Sequence, residues 1–304
     1  MTYPASVRIR EVGPRDGIQS EKADIATRDK VGLIDALSKT GLRYIEAVSF
    51  VSPKAIPQMA DARRVWDGID RNPDVFYSAL VPNRKGAEAA AEAGVDGLQV
   101  FIAASDGYNL RNVKRTVRDS LPNVADVVEV ARANGLPIEG TISVAFGDPY
   151  DGDVPLERVV EVTGWMVDTG ITTLSYGDTT GMATPRGVRE VVEAVGAAFP
   201  EVTMNMHFHD TRGTGLANVV TALALGVDYF DASIGGMGGS PFATGATGNI
   251  ATEDLVHMLE DMGIETGVDL EALLEAGRLA QSLVAGELPG KVLKAGPRST
   301  LSSA

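Results

Sequence analysis

Two histidines lie one residue apart in Met204-Asn205-Met206-His207-Phe208-His209-Asp210. Side chains alternate faces along a strand, so His207 and His209 project together and Phe208 projects the other way. Two imidazoles on one face at the end of a strand can take adjacent positions on one metal ion. The plainer alternative is a pair of hydrogen-bonded histidines in a barrel wall. The next residues, Thr211-Arg212-Gly213-Thr214-Gly215, have turn composition and place the pair at a strand's C-terminal end.

Other segments carry matching chemistry. In Val12-Gly13-Pro14-Arg15-Asp16-Gly17, Asp16 could complete a set of two histidines and one carboxylate, and Arg15 offers a planar fork to an oxyanion. The alternative there is a turn with a solvated ion pair. Glu46 alternates with apolar neighbours and points into a core, where a carboxylate needs a partner, either Arg15 or a metal-bound water. Asp178, in Tyr176-Gly177-Asp178-Thr179-Thr180-Gly181, could act as a base or cap its own loop. Residues 235–249 hold six glycines and suit a lid or a close backbone approach to a ligand. Asn249 closes that stretch, as an oxygen ligand to a hard cation or as a helix N-cap. The third histidine, His257, falls within a helical pattern and reads as a packing or surface residue.

The elements that must position these residues alternate regularly. Extended runs over 7–12, 44–50, 75–81, 98–103, 138–146, 173–176, 203–209 and 229–234 precede helical patterns over 27–39, 60–69, 85–93, 121–134, 156–168, 186–198, 216–225 and 252–262. Glycines at Gly41, Gly94, Gly135, Gly170 and Gly226 stop helices. Eight such units predict an α/β fold, a (β/α)8 TIM barrel, whose chemistry sits at the C-terminal strand ends. Helical periodicity over 268–285, with Asp269 as a cap, predicts a short C-terminal helical extension. The expected organisation is a catalytic barrel over 1–265, with 266–304 as an extension and tail of the same domain.

Composition narrows the function. The chain has 304 residues and no cysteine, which excludes disulfides, thiolate metal sites and cysteine nucleophiles and favours a cytoplasmic setting. Its 27 basic and 41 acidic residues give a net charge of −14, against nonspecific binding to nucleic acid or anionic membrane. No apolar run approaches a membrane span, and the first residues lack signal-peptide features.

Five segments together resemble the 3-hydroxy-3-methylglutaryl-CoA (HMG-CoA) lyase family: VGPRDGIQSEK (12–22), IEAVSFVSPKAIPQMAD (45–61), SYGDTTG (175–181), HFHDTRGTGLAN (207–218) and the glycine-rich 235–268. The resemblance runs from about residue 7 to about 295. It implies a retro-Claisen cleavage of a 3-hydroxyacyl-CoA, HMG-CoA giving acetyl-CoA and acetoacetate, and a place in leucine degradation. It assigns Asp16, His207, His209 and Asn249 to a divalent cation, Mg2+ or Mn2+. Arg15 falls where the family steadies the enolate, Glu46 and Asp178 where it keeps a supporting acid–base pair, and Gln19, Ser49, Ser175 and Thr179 where it touches substrate. Lys22, Lys54, Arg84, Lys85, Arg111 and Lys114 are loop candidates for the CoA phosphates, each also readable as an ordinary solvated charge. A homodimer or higher homo-oligomer is expected.

One position departs from the family. Its glycine loop normally carries a cysteine that helps transfer the proton, and this chain has Ser240. A slower HMG-CoA lyase, another proton donor, or a paralogue acting on a different 3-hydroxyacyl or 2-keto-acid substrate would each account for it. An aldolase or Claisen-type synthase, an Fe(II) oxygenase and a non-catalytic acyl-CoA-binding barrel are the remaining alternatives.

Overall fold

The computed structural model describes residues 3–22, 24–239 and 248–299. Ser240 lies outside the described residues. Eight parallel strands close a barrel in sequence order: β1 (Arg8–Glu11), β2 (Tyr44–Ser49), β3 (Phe76–Leu80), β4 (Gly97–Ala103), β5 (Ile138–Ser143), β6 (Thr173–Gly177), β7 (Thr203–His207) and β8 (Tyr229–Ala232). The register of β1 on β8, from Arg8 opposite Tyr229 to Glu11 opposite Ala232, completes the circle. The helices are α1 (Thr27–Leu37), α2 (Ala62–Gly68), α3 (Arg84–Ala93), α4 (Asp106–Val113), α5 (Val117–Ala133), α6 (Leu156–Asp168), α7 (Pro185–Ala198), α8 (Gly215–Ala224), α9 (Thr252–Asp261), α10 (Leu270–Leu283) and α11 (Lys291–Ala295). The predicted TIM barrel with C-terminal helices is the observed fold.

The differences from the sequence reading have local causes. The short helix α4 was not anticipated. It is started by the Ser105 side chain, which accepts from the Tyr108 N–H. Helix α5 begins at Val117, four residues earlier than its apolar pattern, because Thr116 caps it and Pro122 is tolerated inside. Strand β7 stops at His207, and His209 instead bridges Asn249 outside the sheet. The glycine stops hold: Gly94, at φ 77°, is the left-handed cap of α3.

Barrel interiors of this type are usually filled by branched apolar side chains. Here the apolar packing lies between strands and helices, with Ile45, Leu98, Leu174, Phe230 and Leu255 fully buried. The strand residues that meet inside the barrel are largely polar: Arg10, Gln99, Glu139, Ser175, Asn205 and Asp231 bond to one another.

Two buried carboxylates tie the rim to the C-terminal helices. Glu11 Oε1 accepts from the Gly13 N–H at 2.7 Å and the Ile234 N–H at 2.8 Å, and its Oε2 accepts from the Thr252 hydroxyl at 2.6 Å. Glu253 Oε2 accepts from the Gly235 N–H at 3.0 Å, and its Oε1 has no hydrogen-bond partner among the described residues. Burial pushes Glu11 up to about 7 and Glu253 up to about 8. The extension is built onto this same rim. The Gly290 N–H donates to Gly235 O at 2.9 Å, and Leu273 of α10 is fully buried. No helix among the described residues is long and apolar enough to cross a membrane.

The expected consequence is one cooperative unit. Leu273→Ala should cost about 2–5 kcal/mol and leave a single calorimetric transition. A separate low-temperature transition would mean that the extension is its own unit. Glu253 predicts a pH effect. An acid whose folded pKa is raised favours folding while it holds its proton. That contribution is complete below its ordinary 4.5 and is lost as pH rises through about 8. Glu253→Gln keeps an acceptor for Gly235 and removes the titration. Its melting temperature should therefore fall less between about pH 5 and pH 8 than the parent chain's. Parallel curves would contradict the burial of an ionisable Glu253.

Candidate active site

The first rim segment is a single π-helical turn, Gly13–Gly17, directly after β1. Such turns are rare and are frequent at functional sites. It forms because Pro14 sits at the second position, within the first turn where a backbone N–H has no intrahelical partner, and because Glu11 holds the Gly13 N–H. The turn aims Arg15 and Asp16 over the barrel mouth. Arg15 Nε donates to Glu46 Oε2 at 2.6 Å, and its Nη1 donates to Asp16 Oδ1 at 2.6 Å. These side chains are between 2% and 17% exposed, so the ion pair is buried rather than solvated. Arg15 is thus one partner of Glu46, as the sequence allowed. Glu46 sits beside a register shift in β2 between Glu46 and Val48.

The second rim segment carries the histidines on one face, as the alternation predicts. Phe208 is fully buried on the opposite side, its ring 5.9 Å from that of Phe146. The two Nε2 atoms of His207 and His209 stand 3.1 Å apart. Donor atoms of Asp16, His207 and His209 all lie within 4.8 Å of one another. The third rim segment adds Asn249. It does not cap α9, whose N-cap is Ala251. Instead its Nδ2 donates to Asp16 Oδ2 at 2.8 Å and to Met237 O at 3.0 Å. Asn249 Oδ1 and His209 Nδ1 are buried with no hydrogen-bond partner among the described residues. Gly238 closes over this group: a Cβ there would stand 2.5 Å from Asn249 Nδ2 and 3.2 Å from Asp16 Oδ2. Only glycine lets the backbone approach so closely.

Charge coupling follows from these contacts. Burial opposes ionisation of Asp16, yet Arg15 and then the two histidines hold its carboxyl below the usual range. Burial also opposes a charge on His207, but the hydrogen bond and charge of Asp231 raise it above its ordinary value. His209 is pushed down to about 3, first by burial and then by its neighbour His207. A neutral imidazole, an ionised carboxylate and an unpartnered amide oxygen are the donors a hard or borderline divalent cation takes. The described residues therefore form a possible metal site of Asp16, His207 and His209, with Asn249 in contact.

Asp178 caps its own loop through one oxygen. Its Oδ1 accepts from the Met182 and Ala183 N–H groups at 2.6 and 2.9 Å, while its Oδ2 has no partner among the described residues. Burial pushes this carboxyl up to about 7. The remaining predicted positions differ in access. Ser49 and Ser175 are fully buried, the first donating to Leu80 O at 3.2 Å and the second to Asp231 Oδ2 at 3.4 Å. Thr179 Oγ1 accepts from the Val144 N–H at 3.0 Å, and Gln19 is half-buried beside the π-turn. Val144 has φ 53°, unusual for a branched residue and located at this rim. Among the loop cations, Arg84 is paired with Asp126 and Glu129, and Arg111 stacks on Tyr150 at 3.8 Å. A cavity of about 830 Å³ bordered by Tyr44, Phe76 and Asp96 opens where the strands begin, at the end opposite the histidines.

The sequence reading missed Arg10 and Asp231. Asp231 accepts from Arg10 Nε and Nη2 at 2.8 and 2.9 Å, from Asn205 Nδ2 at 2.7 Å, and contacts His207 Nδ1 at 3.0 Å. The available signal was a charged residue within each of two barrel strands.

The chain is similar to known proteins along most of its length. The HMGL-like family model matches residues 6–280. The hydroxymethylglutaryl-CoA lyase YngG of Bacillus subtilis is 48% identical over 97% of this chain and 98% of its own length. The 3-hydroxy-3-isohexenylglutaryl-CoA/hydroxymethylglutaryl-CoA lyase of Pseudomonas aeruginosa is 46% identical over 91% of this chain and 93% of its own. An HMG-CoA lyase from Acinetobacter baumannii, solved with coenzyme A and 3-methylmalate, superposes with a TM-score of 0.95 at 40% identity, covering 100% of this chain and 99% of that one. With a matching family model over most of its length and relatives this similar across both chains, this protein belongs to the HMGL-like family and is a carbon–carbon lyase.

Proposed function

We propose that the chain cleaves HMG-CoA to acetyl-CoA and acetoacetate by a metal-dependent retro-Claisen reaction. The observation that carries this reading is the convergence of Asp16, His207 and His209 donor atoms within 4.8 Å, in a chain 48% identical to an HMG-CoA lyase over nearly its whole length. Asp16, His207, His209 and Asn249 would hold Mg2+ or Mn2+. When bound, such a cation lowers the pKa of a coordinated hydroxyl and polarises nearby oxygens.

The chain's own residues supply the rest. Asp178 has one oxygen held by two backbone N–H groups and the other without a partner among the described residues. Pushed up to about 7, it is poised to take the proton of the tertiary hydroxyl near neutrality. The C–O⁻ electrons then form the ketone, and the C2–C3 pair leaves onto the thioester as an enolate. Arg15 is fixed by Glu46 and Asp16 through three of its five N–H donors, which leaves one on each terminal nitrogen for the enolate oxygen. Glu46 keeps the guanidinium oriented and neutralised. The enolate carbon takes a proton to complete acetyl-CoA, and Ser240 would relay it, directly or through water. Gln19, Ser49, Ser175 and Thr179 complete the proposed substrate positions. A cytoplasmic location, a role in leucine degradation and a homodimer or higher homo-oligomer belong to the same proposal.

A panel of 3-hydroxyacyl-CoA thioesters with Mg2+ or Mn2+, read by acetyl-CoA release, tests it. HMG-CoA should be cleaved and activity should vanish with chelator. His207→Ala should lose Mn2+ binding and about a thousandfold or more in kcat/KM. Parent-like rates in that variant would remove the metal site from the chemistry. Ser240→Cys introduces a group with a pKa near ~8.5 in place of a far weaker acid. A rise in HMG-CoA turnover of about tenfold or more is expected if proton delivery limits the rate; an unchanged rate would assign that proton to another donor.

A further inference from the structure

Asp231 sits at the centre of the polar barrel interior, 3% exposed, on β8 beneath the histidine pair. Arg10 of β1 grips both of its oxygens, Nε to Oδ1 at 2.8 Å and Nη2 to Oδ2 at 2.9 Å. Asn205 Nδ2 donates to Oδ1 at 2.7 Å, and Ser175 Oγ to Oδ2 at 3.4 Å. Arg10 is itself held by Glu139 through Nη1 at 2.6 Å. The carboxylate therefore has one orientation, set by donors from β1, β6 and β7. Its Oδ2 also meets His207 Nδ1 at 3.0 Å.

A carboxylate paired with a guanidinium has only acceptor capacity. Nδ1 of His207 must then be the donor, and the lone pair of the neutral ring falls on Nε2. That Nε2 stands 3.1 Å from His209 Nε2, within the donor cluster that includes Asp16. We propose that Asp231, clamped by Arg10, is a positioning residue that fixes His207 as the Nδ1–H tautomer and aims its Nε2 at the Asp16–His209 pair. Carboxylates that hold a ligating histidine in this way typically contribute 10–100-fold to metal affinity. The affinity part of the inference rests on the metal site proposed above; the tautomer part does not.

The chain has only three histidines, His207, His209 and His257, so selective 15N-histidine labelling gives three assignable rings. Long-range 1H–15N correlation on metal-free protein near about pH 9, where a neutral ring predominates, reads the tautomer directly. The parent chain should show His207 protonated at Nδ1 alone. Asp231→Asn should give mixed or reversed tautomers and a fall of about 10–100-fold in Mn2+ affinity by titration calorimetry. A parent spectrum with the proton on Nε2 would overturn the proposal. So would an Asp231→Asn variant with unchanged tautomer and affinity. Asp231→Asn leaves Arg10 buried opposite a neutral group. If it does not reach the parent far-UV spectrum, the double variant Arg10→Gln/Asp231→Asn removes both charges and is measured in the same way. Absence of Mn2+ binding by the parent chain would instead refute the metal site, and the tautomer readout would still decide the role of Asp231.

Discussion

The arrangement depends on pairing charge inside a closed barrel. An isolated ionised group is costly to bury, whereas a paired and hydrogen-bonded one can be tolerated. The interior of this barrel meets that constraint with two linked sets. Glu46, Arg15 and Asp16 run across the mouth from β2 to the π-turn. Glu139, Arg10, Asp231 and His207 run beneath them from β5 through β1 and β8 to β7. Removal of any one member would leave its neighbour buried and uncompensated. The same electrostatics that hold the barrel interior together also hold Asp16 ionised and His209 neutral, the two protonation states a cation site requires.

A second level of organisation keeps the rim segments at a fixed distance. Glu11 points out of the barrel and bonds to the π-turn, to the segment after β8 and to the first residue of α9. Glu253 holds Gly235 in the same region. Both carboxyls are pushed toward neutrality by burial, which lowers the cost of placing acids there. The C-terminal helices close over this junction, so the extension supports the site from behind, and among the described residues it contributes no donor atom to the Asp16–His207–His209 cluster. The tight approach of Gly238 to Asn249 and Asp16 shows the outcome: backbone from the third rim segment packs directly on the proposed ligands.

Two unusual backbone conformations occur at this same end. The π-helical Gly13–Gly17 turn and the positive φ of Val144 both occur just past the C-terminal ends of strands, on the face that carries the candidate site. Each is held by a polar contact, Gly13 by Glu11 and Val144 by Thr179. Unfavourable backbone states persist where surrounding bonds over-determine them. The cavity of about 830 Å³ lies at the opposite end of the barrel, away from His207 and His209.

Much of this molecule could be read from local pattern. Extended β-rich runs, helical spacing and glycine stops specified eight βα units, because elements that bury a face or a whole strand need apolar residues at those spacings. The alternation around Phe208 put His207 and His209 on one side, and their position before a turn put them at a strand end. Resemblance then brought Asp16 and Asn249 to them. What the chain alone left open was every choice between two uses of one residue. Asn249 could cap a helix or face a cation, and Asp178 could cap a loop or serve as a base. Those choices depend on which distant backbone arrives nearby. Asp231 is the clearest case. Nothing within its own strand shows that Arg10, more than two hundred positions away, will grip it, since only barrel closure brings β1 beside β8. Sequence determined which groups could carry chemistry; tertiary structure decided which of them touch, and through those contacts which nitrogen of His207 faces the proposed metal.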